Sequence, residues 1–279
     1  MHETAWKQVT ITYPGPDSQQ RERPAVDHLA RVLPAAEADG LITSWFFIRK
    51  GPWRVRYLLA QDADGGDEPN ADPLHPLLTD GVDWTDDIYE PEVHAFGGPS
   101  SMDTAHALFH RDSRHLLTFL RGDPADRREH SLVLCTALMR AAGLDVNEQG
   151  DVWARVAEHR SGLADAPPDP RVWASFTSDV RHLLLGDALA DLIDTDWLAA
   201  FEETGRSLRT LRERGTLTRG IRAVISLHVI FHWNRLGLAA TTQATLARAA
   251  KDAVFGNVSV DRSTRHRQTA APGVGRGAG

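Results

Sequence analysis

The hydrophobic positions change their rhythm near residue 100. Before it they fall in short runs bounded by Gly, Pro and Asp, and after it they recur every three or four positions. Residues 6–13 place Val9, Ile11 and Tyr13 on one side of a strand that Pro14-Gly15-Pro16 ends. Residues 25–38 carry Val26, Leu29, Val32 and Leu33 at helical spacing, with Gly40 as a stop. Residues 42–60 predict a hairpin, since two aromatic-rich runs flank the break Lys50-Gly51-Pro52. Residues 61–80 are polar and rich in Gly, Asp and Pro, the composition of an irregular loop. Residues 83–96 predict an extended segment that Gly97-Gly98-Pro99 interrupts.

From residue 101 the pattern is helical. Ser101 is the expected cap of a helix through Ala105, Leu108 and Phe109 to Phe119. Further helices are expected near 127–142, 150–161, 171–186, 187–213, 217–236 and 241–254, the last capped by Thr241 or Thr242. The segment 217–236 is apolar on nearly every side and should be buried. Early strands followed by late helices predict an α+β fold, with a sheet-rich N-terminal part, helices packed beside it and a helical C-terminal half. The expected boundaries are one domain over 1–256 and a disordered Ala/Gly-rich tail over 257–279.

Composition narrows the function classes. The chain has 279 residues, 42% hydrophobic and 25% charged, as in ordinary globular proteins. Its formal net charge of −7 argues against nucleic-acid binding by bulk charge, so an anion site would be a local basic pocket. The single Cys135 lies in an apolar run and reads as a buried structural thiol. The sequence predicts no signal peptide, no membrane span and a cytoplasmic location.

Three stretches carry candidate chemistry. In the hairpin, alternation puts Arg54 and Arg56 on one face and Trp53, Val55 and Tyr57 on the other, with Arg49 at the end of the first strand. Guanidinium forks suit carboxylates, and the bland alternative is an amphipathic hairpin with its arginines in water. In the second stretch, His228, His232 and Arg235 fall on one helical face. They suit acid–base work beside an anion, or they are core histidines satisfied by local partners. A zinc site lacks a third ligand. In the third, Glu90, Glu92 and His94 share strand parity beside Tyr89, and Pro91 suggests an edge or bulge. His106, His110 and Arg114 recur at four-residue steps and read as a solvated helix face.

Together these pieces resemble the C-terminal domain of lantibiotic dehydratases, which also occurs as a separate thiopeptide-type bacteriocin biosynthesis protein. The matching pieces begin with the Trp6 strand, Trp45-Phe46-Phe47-Ile48-Arg49, Arg54-Val55-Arg56 and Tyr89-Glu90-Pro91-Glu92. They continue with Phe96-Gly97-Gly98-Pro99, Leu108-Phe109-His110-Arg111-Asp112-Ser113 and Asn234-Arg235-Leu236-Gly237, and span roughly 5–255. The family's Asp-Pro and His ahead of the Arg-x-Arg strand are replaced by Lys50-Gly51-Pro52 and Trp53.

The resemblance implies an enzyme that matures ribosomally made peptides. The leading expectation is a lyase that eliminates glutamate from glutamylated Ser or Thr, leaving dehydroalanine or dehydrobutyrine. The alternatives are a [4+2] cycloaddition that forms the pyridine of a thiopeptide, and a non-catalytic peptide-binding subunit. Expected partners are the precursor peptide and a separate glutamylating subunit, with no direct tRNA binding, no membrane, no cofactor and no metal. The implied site has His232, His228 and Arg235 for catalysis and Arg49, Arg54, Arg56, Tyr89 and Glu90 for substrate binding.

Overall fold

A computed structural model describes residues 6–49, 51–60, 72–122, 124–163, 169–186 and 193–256. Four strands, β1 (Lys7–Thr12), β2 (Ile42–Arg49), β3 (Trp53–Leu59) and β4 (Asp83–Ile88), form one antiparallel sheet in the order β2-β3-β1-β4. Helix α1 (Ser18–Ala38) and the short α2 (His75–Thr79) are interleaved with the strands. The helical part follows as α3 (Pro99–Arg121), α4 (Arg127–Ala141), α5 (Val146–His159), α6 (Pro170–Leu185), α7 (Thr195–Glu213), α8 (Ile221–Leu236) and α9 (Ala240–Phe255). The α+β reading therefore holds.

The pleat sorts the sheet into two faces. Val9, Ile11, Trp45, Phe47, Trp53, Val55 and Tyr57 enter the main core, where Leu29 and Leu33 of α1 also lie. The register aligns Phe46, Arg56, Gln8 and Asp87 across the other face, with Ile48, Arg54, Thr10 and Thr85 in the next row. Phe46 and Ile48 there join a smaller core with Tyr89, Phe96, Met102, Ala105 and Phe109. Helix α3 runs beside the β2 edge. Trp45 N–H meets His110 Nδ1 at 3.2 Å and Phe47 N–H meets Ser113 Oγ at 3.4 Å, which occupies edge donors that would otherwise invite another strand.

Several local expectations are corrected. α1 begins at Ser18, because Asp17 caps it by accepting the Gln20 N–H at 2.8 Å. Its first turns are polar and so carry no hydrophobic period. The expected loop 61–80 contains α2, anchored by buried Leu74 and Leu78; residues 61–71 lie outside the described residues. The extended segment stops at Ile88, and turns follow, with Gly97 and Gly98 at positive φ. Glu90, Glu92 and His94 therefore share no strand face. α3 starts after Gly98 with Pro99 in its first turn, and Ser101 is a buried helical residue rather than the cap. Ala239, not Thr241 or Thr242, precedes α9, and no side chain caps that end. The tail 257–279 lies outside the described residues.

α8 is buried as expected. Ile221, Val224, Ile225, Val229, Ile230 and Trp233 are all in the core. Burying each large aliphatic side chain is worth about 1.5–3 kcal/mol, so this helix is a main source of cohesion. No helix among the described residues is long and apolar enough to cross a membrane.

Candidate functional site

The hairpin arginines divide between the two sheet faces. Arg49 pairs in register with Trp53 and shares its face, whereas Arg54 and Arg56 stand opposite Ile48 and Phe46. Proximity in sequence brings the three together on one hairpin, but the pleat aims them at different surroundings.

Arg56 is the centre of the first surrounding. Its guanidinium lies 4.0 Å from the Tyr89 ring centroid and 5.3 Å from that of Phe46. Nε donates to Gln8 Oε1 at 2.6 Å, and Gln8 Nε2 donates to Asp87 Oδ2 at 2.5 Å. Nη1 is buried without a hydrogen-bond partner. Arg54 is half-exposed beside Asp87, 3.9 Å away. The Tyr89 hydroxyl and His106 Nε2 are 2.8 Å apart, and the Trp6 ring packs 4.6 Å from that of His106. Burial, and then the Arg56 charge, lower the His106 pKa to about 4, so its imidazole is neutral at neutral pH. Burial pushes the Tyr89 phenol up, while Arg56 opposes it.

The His106-His110-Arg114 stripe thus departs from a solvated face. His106 reaches Tyr89, His110 reaches the Trp45 backbone and Glu37, and Arg114 pairs with Glu37 at 3.1 Å. Glu90 is exposed and, among the described residues, makes no ion pair with a hairpin arginine.

The helical stripe of α8 lies in the interior. His232 and Arg235 have no exposed surface, and His228 is 1% exposed. Asp112 of α3 gathers two of them. His232 Nδ1 is 2.9 Å from Oδ2, Arg235 Nε donates to Oδ2 at 2.8 Å, and Trp197 Nε1 of α7 donates to Oδ1 at 2.9 Å. Burial raises the Asp112 pKa, but His232, Arg235 and the Trp197 hydrogen bond outweigh it and hold the group at about 2. The Arg235 guanidinium also lies 4.4 Å from the Phe109 ring centroid. His228 packs edge-on to Phe96 at 5.2 Å with both ring nitrogens unpaired. Burial, then Arg235, lower its pKa to about 3.

Arg49 occupies the second surrounding. It lies over Trp53 at 4.6 Å, donates to the Leu236 carbonyl at 3.3 Å and pairs with Glu22 at 2.5 Å. Arg127 grips the same Glu22 through Nη1 at 2.8 Å and Nη2 at 2.6 Å.

The sequence pattern points to Arg56, Tyr89 and the α8 stripe. It assigns no role to Asp112, Trp197, Gln8 or Glu22, and it places His106 on a solvated face. Asp112 was visible only as part of a motif, since its partners are more than 80 residues away. Among the described residues, no group of three His, Cys, Asp or Glu is placed to hold a metal.

A family profile described as "Lantibiotic biosynthesis dehydratase C-term" matches residues 6–254. The fold is similar to the crystal structure of the tRNA-dependent lantibiotic dehydratase MibB from Microbispora sp. 107891. There the TM-score is 0.59 at 20% identity, over 94% of this chain and 29% of that one. It is similar to the crystal structure of TsrL, with a TM-score of 0.57 at 15% identity over 89% and 93% of the two chains. TbtD, a pyridine synthase from thiomuracin biosynthesis, gives a TM-score of 0.55 at 16% identity over 90% and 97%. This chain therefore spans under a third of the MibB chain and nearly all of the other two. No curated protein matches at the level of sequence.

Proposed function

The chain belongs to the lantibiotic dehydratase C-terminal family, and from that premise we propose that it eliminates glutamate from glutamylated Ser or Thr of a ribosomally made precursor peptide. The observation that carries this reading is the buried, unpaired Nη1 of Arg56, poised beside the Tyr89–His106 pair. A desolvated guanidinium with a free donor favours a group that gains negative charge.

The chemistry maps onto that face. The Cα–H bond of the modified residue breaks and its proton passes to the neutral imidazole of His106. The electron pair forms the Cα=Cβ bond, the Cβ–O bond breaks, and glutamate leaves as a carboxylate held by Arg56 and Arg54. Tyr89 orients His106 through their hydrogen bond and supports the cation that results. Asp112, His232 and Arg235 act as positioning residues that set α8 against α3. Glutamylation belongs to a separate subunit, and the reaction needs no cofactor. A cytoplasmic setting suits a peptide made on the ribosome.

One observation favours a second reading. The fold likeness covers 97% of TbtD, a pyridine synthase of matching extent. A formal [4+2] cycloaddition between two dehydroalanines is therefore the alternative. Incubating the purified protein with a synthetic glutamylated peptide and following its mass separates the two. Loss of glutamic acid supports elimination. An unchanged glutamylated peptide, together with conversion of one bearing two dehydroalanines, overturns it.

A further inference from the structure

The end of β2 and the starts of α1 and α9 enclose a cavity of about 400 Å3, within the range of small-ligand sites. Arg21, Arg49 and Arg160 line it, with Ser18, Asn234 and Gln243 as neutral polar groups and Trp53 as an apolar wall. No Asp or Glu is among the lining residues, on a chain whose net charge is −7.

The three guanidinium groups are not neutralised alike. Arg49 pairs with Glu22, a carboxylate that lies outside the cavity lining and is also held by Arg127. Arg21 donates Nε to the Gly15 carbonyl at 2.5 Å and Nη2 to the Pro16 carbonyl at 3.5 Å. Arg160 donates Nε to Gln243 Oε1 at 2.9 Å. Among the described residues neither Arg21 nor Arg160 has an acidic partner. Burial alone lowers the Arg160 pKa, with no opposing carboxylate. The cavity is thus a partly desolvated concentration of fixed positive charge, where one oxyanion would relieve repulsion and fill several donors at once.

We propose that this cavity is a carboxylate-binding subsite that receives an acidic side chain of the peptide substrate, away from the Arg54–Arg56 face. Arg49 and Arg56 point from opposite faces of one hairpin, so an extended peptide gripped at both would be held across the sheet end with its reacting residue at Arg56. The inference rests on the reading of the chain as a peptide-modifying enzyme. Its test involves no turnover, so a failed elimination assay and a failed binding assay remain separate results.

The experiment is calorimetric titration of the full chain with N-acetylated, C-amidated pentaglutamate, with its pentaglutamine counterpart and with free L-glutamate. The pentaglutamate should bind, weaken with added salt and exceed the pentaglutamine. Arg21→Gln and Arg160→Gln, with unchanged melting temperatures, should each weaken it by about tenfold or more, as for a lost hydrogen bond to a charged group. Arg160→Lys keeps the charge without the fork and should fall between, which separates binding from folding damage. Wild-type affinity in both Gln variants, or no binding to the wild type, overturns the subsite. Free glutamate binding as tightly as the peptide overturns the peptide as occupant and assigns the cavity to the released amino acid.

Discussion

Arg235 Nε donates to Asp112 Oδ2 at 2.8 Å where neither side chain has any accessible surface. The pair joins α8 to α3 across 123 residues of chain, and His232 and Trp197 complete the coordination of the carboxylate. Removing one partner of a buried ion pair leaves the other charge uncompensated. Asp112→Asn should therefore cost about 3–5 kcal/mol of stability. Urea unfolding monitored by circular dichroism measures this, and a loss below 1 kcal/mol would mean that the cluster contributes little to holding the helices.

On the sheet face shared with Phe46, Arg56→Gln should lower the elimination rate roughly tenfold or more, with glutamylated peptide accumulating. Arg56→Lys should recover only part of it, because one ammonium cannot reproduce the stacked, forked geometry over Tyr89. Single-turnover mass spectrometry reads both. A normal rate in the well-folded Gln variant would remove Arg56 from the mechanism.

The pH dependence follows from His106. Its pKa is lowered to about 4, and the neutral form is the proton acceptor. The rate should rise with pH through about 4 and then stay level across the range where free imidazole titrates, near 6.5. His106→Asn should lose both the limb and the rate. An acid limb near 6.5 in kcat/KM, measured where circular dichroism shows the protein folded, would point to a different base.

His228 affects stability by the same physics. Its folded pKa of about 3 lies below the unfolded value near 6.5. Between these values the unfolded state binds the extra proton. Stability is complete above pH 6.5 and declines as pH falls toward 3, by up to about 1.4 kcal/mol per unit. Asp112, held at about 2, adds a loss in the same direction below about pH 4. His228→Leu removes two unpaired buried nitrogens and should flatten the decline between pH 6.5 and 4. Melting temperatures across that range test it, and an unchanged slope would contradict the assignment.

Gly237 ends α8 at φ +80°, and a Cβ there would lie inside the contact distance of the Arg49 guanidinium. Gly237→Ala should cost roughly 1–2 kcal/mol for the left-handed backbone, with a further loss from displacing Arg49. Placing the substitution in an Arg49→Ala background should remove that further loss and leave the backbone cost. Additive effects in denaturant melts would show that the two residues do not meet.

Local chemistry made much of this chain legible. Alternation in residues 6–13 and 42–60 and the three-to-four spacing after residue 100 determine strands and helices, because each depends on neighbours within one or two turns. The same alternation placed Arg54 and Arg56 together, and the all-round apolar character of 217–236 foretold a buried helix. The sequence also carried the family pieces in order, from Trp6 to Gly237. What it left open are relations across long stretches of chain. Periodicity puts His232 and Arg235 on one stripe but does not say that Asp112 fills the space opposite. It puts His106 on a helix face but does not say that β2 and Tyr89 cover that face. It groups Arg49 with Arg54, although the pleat and the end of α8 turn Arg49 toward Glu22, Arg21 and Arg160. The physical reason is that burial, partners and charge balance are properties of the packed volume, and no single segment of the chain contains them.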